Sequence, residues 1–248
     1  MTVALITGAG GGLGTAVARR LAAGGHLVAL NDHPDRDVAG LAAELGGVTA
    51  PADVSDPEAV EAMVSGVERQ AGEQIAVLVA GAARPAMAPF GEHDLDDWWR
   101  IIDVNLGGTF ACVRSVLPGM VERGGGRMVL ISSEWGLIGL PGATAYSASK
   151  AGMIALTKSL GRELGPLGIT VNAIAPSAID TAHLEVDAKA AGVSVDEIRA
   201  RYADRVPLGR IAAPEEVAES VAFLADPRLP TLLGQVLHVN GGTTMARA

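Results

Sequence analysis

The stretch Val3 to Gly14, VALITGAGGGLG, sets the reading of the whole chain. An apolar, β-branched run (Val3 to Thr7) leads directly into a glycine-rich turn. A helical pattern from Leu13 to Ala23 then begins without a break. Strand, glycine turn and helix in that order make a phosphate cradle. Gly8, Gly12 and Gly14 let the backbone turn tightly and approach a pyrophosphate, which rests on the helix N-terminus. Asp32 ends the next apolar run, about 20 residues further on, where a carboxylate bonds the hydroxyls of an adenosine ribose and repels a 2′-phosphate. No Arg or Lys lies within the glycine-rich turn to receive such a phosphate, and His33 is a weak substitute.

The same rhythm continues. Apolar runs at 27–32, within GVTAPADV, and at 75–80, 127–132, 169–175 and 236–240 alternate with helical patterns at 38–45, 58–70, 95–121, 146–164 and 214–224. In the 95–121 region Gly107-Gly108 and Pro118 are expected to interrupt the helix. Strands without polar alternation are buried on both faces. The expectation is an α/β fold: one Rossmann-type, doubly wound parallel sheet flanked by helices on both faces, forming a single domain over residues 1–248. The charged segment 182–208 breaks the rhythm. It reads as two short helices hinged at Gly192 that form a lid, with Leu184, Val186, Ile198, Tyr202 and Val206 facing inward. Glu185, Asp187, Lys189, Glu197 and Arg201 are expected to face water.

A formal net charge of −9, spread along the chain, argues against nucleic acid or an anionic membrane as partner. Cys112 is the only cysteine, so no intramolecular disulfide forms, and it reads as a small core residue. The N-terminus has no basic segment before its apolar run, and no apolar stretch is long enough to span a bilayer. The expected setting is the cytoplasm, and no metal site is expected.

Tyr146-Ser147-Ala148-Ser149-Lys150 places one of only two tyrosines a helical turn before a lysine. Residues four apart share a helix face. A free phenol has a pKa of about 10. An adjacent ammonium and a positively charged nicotinamide ring stabilise the phenolate, which can then exchange a proton with an alcohol or carbonyl. Ser132 and Ser133 end the fifth strand, at the sheet edge where doubly wound folds bind ligands.

TGAGGGLG, VNLGGTF, ISS, YSASK, VNAIAPS and GQVLHVNGG stand in the order and spacing of the short-chain dehydrogenase/reductase family, which the chain resembles over essentially its whole length. The resemblance selects Ser133, thirteen residues before the tyrosine, over Ser132. It implies a tetrad of Asn105, Ser133, Tyr146 and Lys150, with Asn105 holding a water in a proton relay and Lys150 bonding the nicotinamide ribose. It implies cofactor contacts at Gly8, Gly12, Leu13, Gly14, Asp32, Asp53, Val54, Ala80, Gly81, Tyr146, Lys150, Ile179 and Thr181, with Asp53-Val54 near the adenine. It also implies a homo-tetramer, for which Gly107, Gly108, Ala151, Gly152 and Ala155 would permit close packing between subunits. The C-terminal VNGGTTMARA offers a further contact. Two departures stand out. Ala80-Gly81-Ala82-Ala83 replaces the usual Asn-Asn-Ala-Gly, and Ser177 replaces a glycine after Pro176.

The expected activity is an NAD(H)-dependent interconversion of a secondary alcohol and a ketone. Candidate substrate walls are Ser133, Glu134, Trp135, Leu140, Ser177, Ala178, His183 and Leu184. Glu134 is expected to be a solvated strand-end carboxylate, and Trp98-Trp99 to serve packing or an interface. Alternatives are a reductase of 3-oxoacyl thioesters and a non-catalytic dinucleotide-binding regulator. A nucleotide-sugar epimerase or dehydratase would need a larger C-terminal substrate domain.

Overall fold

The computed structural model describes residues 2–245. Seven parallel strands form one sheet in the order β3-β2-β1-β4-β5-β6-β7. They are β1 (Val3–Thr7), β2 (Leu27–Asn31), β3 (Val48–Thr49), β4 (Ile75–Ala80), β5 (Gly126–Ile131), β6 (Ile169–Pro176) and β7 (Val236–Val239). The order reverses between β1 and β4, so a crevice opens there above the strand C-termini, the place where such sheets take ligands. The doubly wound parallel sheet expected from sequence is therefore the observed fold.

Alternate residues along each central strand feed two cores. Leu5, Leu78, Leu130 and Val171 pack on one face against α3 (Pro57–Ala71), α5 (Gly108–Glu122) and α7 (Thr144–Leu164). Ile6, Leu30, Val79 and Ile174 pack on the other against α1 (Gly12–Ala23) and α10 (Pro214–Ala225). Every residue of β1, β4 and β6 is buried. This two-sided burial is why these strands carry no polar alternation.

Local chemistry sets the element ends. Asp56 caps α3 by accepting the amides of Glu58 and Ala59, with Pro57 at the first helical position. The third strand is much shorter than GVTAPADV suggested. Beyond Thr49 the backbone is held by a side chain instead: the buried Asn31 amide donates to the carbonyls of Ala50 (2.9 Å) and Ala52 (3.1 Å). The shorter helices α2 (Ala39–Leu45), α4 (Leu95–Ile102) and α6 (Trp135–Ile138) complete the layers, with α8 (Leu184–Ala191) and α9 (Val195–Ala203) over the sheet edge.

The break in the 95–121 region differs from expectation. Asp103–Gly107 forms a π-turn between α4 and α5, while Pro118 stays within α5. Such turns occur where a side chain must be re-aimed, and this one carries the buried Asn105. The small residues also behave differently. A methyl at Gly108 would meet Val54 and one at Gly152 would lie 2.8 Å from Leu106 Cδ2, so both glycines serve packing within the chain.

Candidate active site

Three positions of the turn from β1 to α1 are too crowded for a side chain. Gly8 sits at φ +74°, and a methyl there would lie 2.9 Å from Ala82 Cα. A methyl at Gly14 would lie 2.8 Å from Ala9 Cα, and one at Gly12 would lie 2.8 Å from Thr181 Cγ2. Thr181 thus stands over the start of α1, an end with no acidic residue in its first turn and no side-chain cap. The donor-rich helix end is left free for an anion. Ile179 beside it pairs with Ala212, which fixes the segment after β6.

Asp32 closes the other side of the turn. Its Oδ2 accepts the Gly10 amide (2.9 Å) and its Oδ1 the His33 amide (2.8 Å). Arg36, which the sequence reading passed over, lays its aliphatic stem over Gly10 beside that carboxylate. The signal was available, since Arg36 lies four residues after Asp32. Asp53 accepts both the amide (2.9 Å) and the hydroxyl (2.7 Å) of Ser55. Burial alone would raise its pKa, but the Ser55 hydrogen bonds, with His33 and Arg100 nearby, hold it below the ordinary carboxylate value. Val54 is buried. At the end of β4, the Gly81 and Ala82 amides donate to the Thr7 hydroxyl (3.0 and 3.1 Å). Thr7 thereby orders the Ala-Gly-Ala-Ala segment that lacks the usual asparagines. A cradle that added methyl groups would fill, an open helix N-terminus and a carboxylate at its rim fit a dinucleotide. The residues that would hold it are Gly8, Gly12, Leu13, Gly14, Asp32, Ala80 and Gly81. Among the described residues, no group of three His, Cys, Asp or Glu could hold a metal ion.

Tyr146 and Lys150 lie on α7, whose N-terminal half faces the end of β5. Ser132 is structural: its hydroxyl donates to the Lys150 carbonyl (2.8 Å). Ser133 accepts the Trp135 amide (3.2 Å) and lies near Tyr146. Lys150 is 1 % exposed. Its Nζ donates to the Ile131 carbonyl (2.6 Å) and sits 5.4 Å from the centre of the Tyr146 ring. Burial pushes the lysine down to about 7. Burial pushes Tyr146 up to about 12, and Asp187 adds to this while the Ser133 hydroxyl opposes it. The expected lowering of the tyrosine by its lysine is therefore absent in the protein alone. Low dielectric disfavours both charges.

Asn105 is buried, and its side chain bonds Arg84 and Ser149. Its Oδ1 accepts the Arg84 amide (2.7 Å) and its Nδ2 donates to Ser149 (3.1 Å). Ser149 in turn donates to the Tyr146 carbonyl (2.7 Å), so Asn105 ties the loop after β4 to the first turns of α7.

The substrate side holds two surprises. Glu134 is not solvated. It is buried and accepts hydroxyls from Ser177 (2.8 Å) and Thr243 (2.6 Å). Ser177, where glycine is usual, thereby links β6 to β5. Asp187, expected to face water, is only 6 % exposed, whereas Val186 is among the exposed residues. The helix period gives the reason: residue 187 lies three after the buried Leu184 and beside the buried Ala188. Tyr202 donates to Asp187 Oδ2 (3.0 Å), and the Trp135 ring stands 5.7 Å from that of Tyr146 and 6.5 Å from that of Tyr202. Leu184, Ala188, Ile198 and Ile211 form a small apolar cluster under α8 and α9, with Ala178 packed against it. Leu140 is half-buried before α7. Cys112 is buried, its thiol pushed up to about 12 by burial, and is inert core.

Comparison with known proteins identifies the family. A family model described as Enoyl-(Acyl carrier protein) reductase matches residues 8–244. The cis-4-hydroxycyclohexanecarboxylate dehydrogenase of Sinomonas cyclohexanicum is 38 % identical, over 98 % of this chain and 96 % of its own length. A 3-oxoacyl-(acyl-carrier-protein) reductase of Staphylococcus aureus is 36 % identical, over 98 % of each chain. A crystal structure of an actinorhodin polyketide ketoreductase variant with NADPH superposes with a TM-score of 0.92 at 37 % identity, covering 98 % of this chain and 97 % of that one. The chain belongs to the short-chain dehydrogenase/reductase family of oxidoreductases.

The buried lysine has a consequence for stability. Its folded pKa of about 7 lies below the ordinary 10.5, so between these values the unfolded chain binds the extra proton and stability rises with pH. In the cofactor-free protein, Lys150→Met should remove this cost. Measured by urea unfolding, the stability of the variant relative to wild type should be greatest below pH 7 and should decline as pH approaches 10.5. A difference that does not change with pH would show that Lys150 keeps its charge when buried.

Proposed function

We propose that the chain is an NAD(H)-dependent oxidoreductase that interconverts a secondary alcohol and a ketone. The observation that carries this reading is the placing of Tyr146 and Lys150 on one face of α7, beside Ser133, at the sheet edge that also holds the glycine turn. The Ser133 hydroxyl orients and polarises the substrate oxygen. Tyr146 gives or takes the proton at that oxygen. Lys150 holds the nicotinamide ribose and supplies positive charge, which a phenol lifted by burial needs before it can ionise. Ile179 and Thr181 meet the carboxamide. Asn105 holds the loop after β4 and α7 in register for the relay. Bound NAD(H) supplies the hydride exchange.

NAD(H) is the proposed partner because the Asp32 carboxylate stands at the rim of the glycine turn. Arg36 beside it, and the NADPH in the related ketoreductase structure, favour the second reading of NADP(H). Reduction of a 3-oxoacyl thioester is the alternative reaction that the acyl-carrier-protein reductase relative brings forward. We place the protein in the cytoplasm as a homo-tetramer. Among the described residues no helix is long and apolar enough to cross a membrane. Exposed Leu95, Trp99 and Phe110 on α4 and α5 supply apolar surface for subunit contact, and light scattering reads the assembly. The last three residues of VNGGTTMARA lie outside the described residues. The segment 182–208 is proposed as a lid fastened by its own apolar cluster. Hydrogen exchange slowed there by NADH and a ketone would support this, and equal exchange in both states would make it fixed scaffold.

Tyr146→Phe should lower turnover by about 10² to 10⁴ while fluorescence titration still detects NADH binding. A near-normal kcat would remove Tyr146 from the mechanism. For the cofactor, wild type should favour NAD(H) in kcat/KM, and Asp32→Ala should move the ratio toward NADP(H). A wild-type preference for NADP(H), or an unchanged ratio in the variant, contradicts the role given to Asp32.

A further inference from the structure

The proposed mechanism uses neither of two titratable groups on the inner side of α8. Asp187 is buried, yet it receives one hydrogen bond, from Tyr202 to Oδ2. Among the described residues no donor reaches its Oδ1. That oxygen is not among the sealed atoms without a partner, so it stays open to a donor from a bound molecule. His183 precedes it by one helical turn on the same face, and its imidazole makes no side-chain hydrogen bond among the described residues. Asp187 is joined to the reacting centre through Tyr202, whose ring lies 6.5 Å from Trp135, itself 5.7 Å from Tyr146. Asp187 acts electrostatically on Tyr146, and His183 feels both Asp187 and Lys150. Trp135 bridges the Tyr146 and Tyr202 rings.

We propose that Asp187 and His183 bind a second hydroxyl group of the substrate, so that the enzyme acts on hydroxylated alcohols and ketones of the diol or hydroxyketone class. The chemistry follows from the pair. A hydroxyl donates to Asp187 Oδ1 and accepts from a His183 N–H, which satisfies both groups at once. A substrate carboxylate at this point would face the Asp187 charge. A methyl group would leave both polar groups unpaired, and sites built to bond a hydroxyl discriminate strongly against analogues that lack it. Burial raises the Asp187 pKa, with Tyr202 and His183 opposing it, and burial lowers that of His183, with Asp187 opposing. Tyr202 acts as a positioning residue that holds the carboxylate.

The inference deepens the dehydrogenase reading and rests on it. The test uses the full chain with the cyclohexanediols as probes and the matching methylcyclohexanols as apolar counterparts. With NAD, kcat/KM for the preferred diol should exceed that for its methyl counterpart by about tenfold or more, and Asp187→Ala should lower this ratio by about tenfold. Asp187→Asn, which keeps the shape, should lower it in the same direction. Calorimetric titration of the alcohols into protein saturated with NADH gives the same comparison without turnover. Turnover with no diol preference, or with a preference that both variants retain, overturns the subsite and leaves the dehydrogenase standing. Diol-selective binding that needs Asp187, without oxidation of any probe, supports the subsite and overturns the dehydrogenase reading. Neither selective binding nor oxidation overturns both.

Discussion

The constraint on which the rest depends is crowding of backbone at the turn from β1 to α1. Gly14 and Gly8 lie so close that no side chain fits between the strand end and the helix start. This contact sets the angle at which α1 leaves the sheet and opens its first turn toward the crevice. It also brings Thr181 onto Gly12 and Ala82 onto Gly8, so the loops after β4 and β6 are positioned against the same turn. The Thr7 hydroxyl then accepts the two amides that follow β4. A family-typical pair of asparagines is absent here, and a single threonine at the end of β1 maintains the local order.

The second determinant is burial of charge-bearing groups at the other end of the crevice. Lys150 is enclosed against Ile131 and Met153, and burial in the protein alone pushes its pKa down to about 7. Tyr146 is held protonated for the same reason. Low dielectric makes each group sensitive to any new charge brought close by. A positively charged nicotinamide ring would therefore act strongly on the phenol. The tyrosine and lysine are thus a pair whose ionisation is set by what binds beside them, more than by their own contact.

The sequence made the central parallel strands and their long helices legible because two-sided burial leaves an unambiguous apolar run. The glycine turn, Ser133 and the Tyr146-Lys150 pair were legible because their spacing is local. What it left unread depends on contacts distant in sequence. The brevity of β3 follows from the Asn31 amide, which looked like any strand-end polar residue. The burial of Glu134 follows from hydroxyls at Ser177 and Thr243, far along the chain. Asp187 reads as water-facing because charged residues dominate its neighbourhood, although its helical register with Leu184 points inward. The π-turn at Asp103–Gly107 carries no composition signal, and Gly107-Gly108 drew the expected break a few residues too late.

The central claim is that the glycine turn and the Tyr146 face form one hydride-transfer site. Incubation of the protein with NADH dideuterated at C4 and a panel of cyclic ketones and hydroxyketones tests it most directly. Mass spectrometry and proton NMR of the products should find one deuterium on the carbinol carbon, delivered to a single face. Alcohol product without deuterium, or no alcohol from any ketone while NADH remains bound, would contradict the claim.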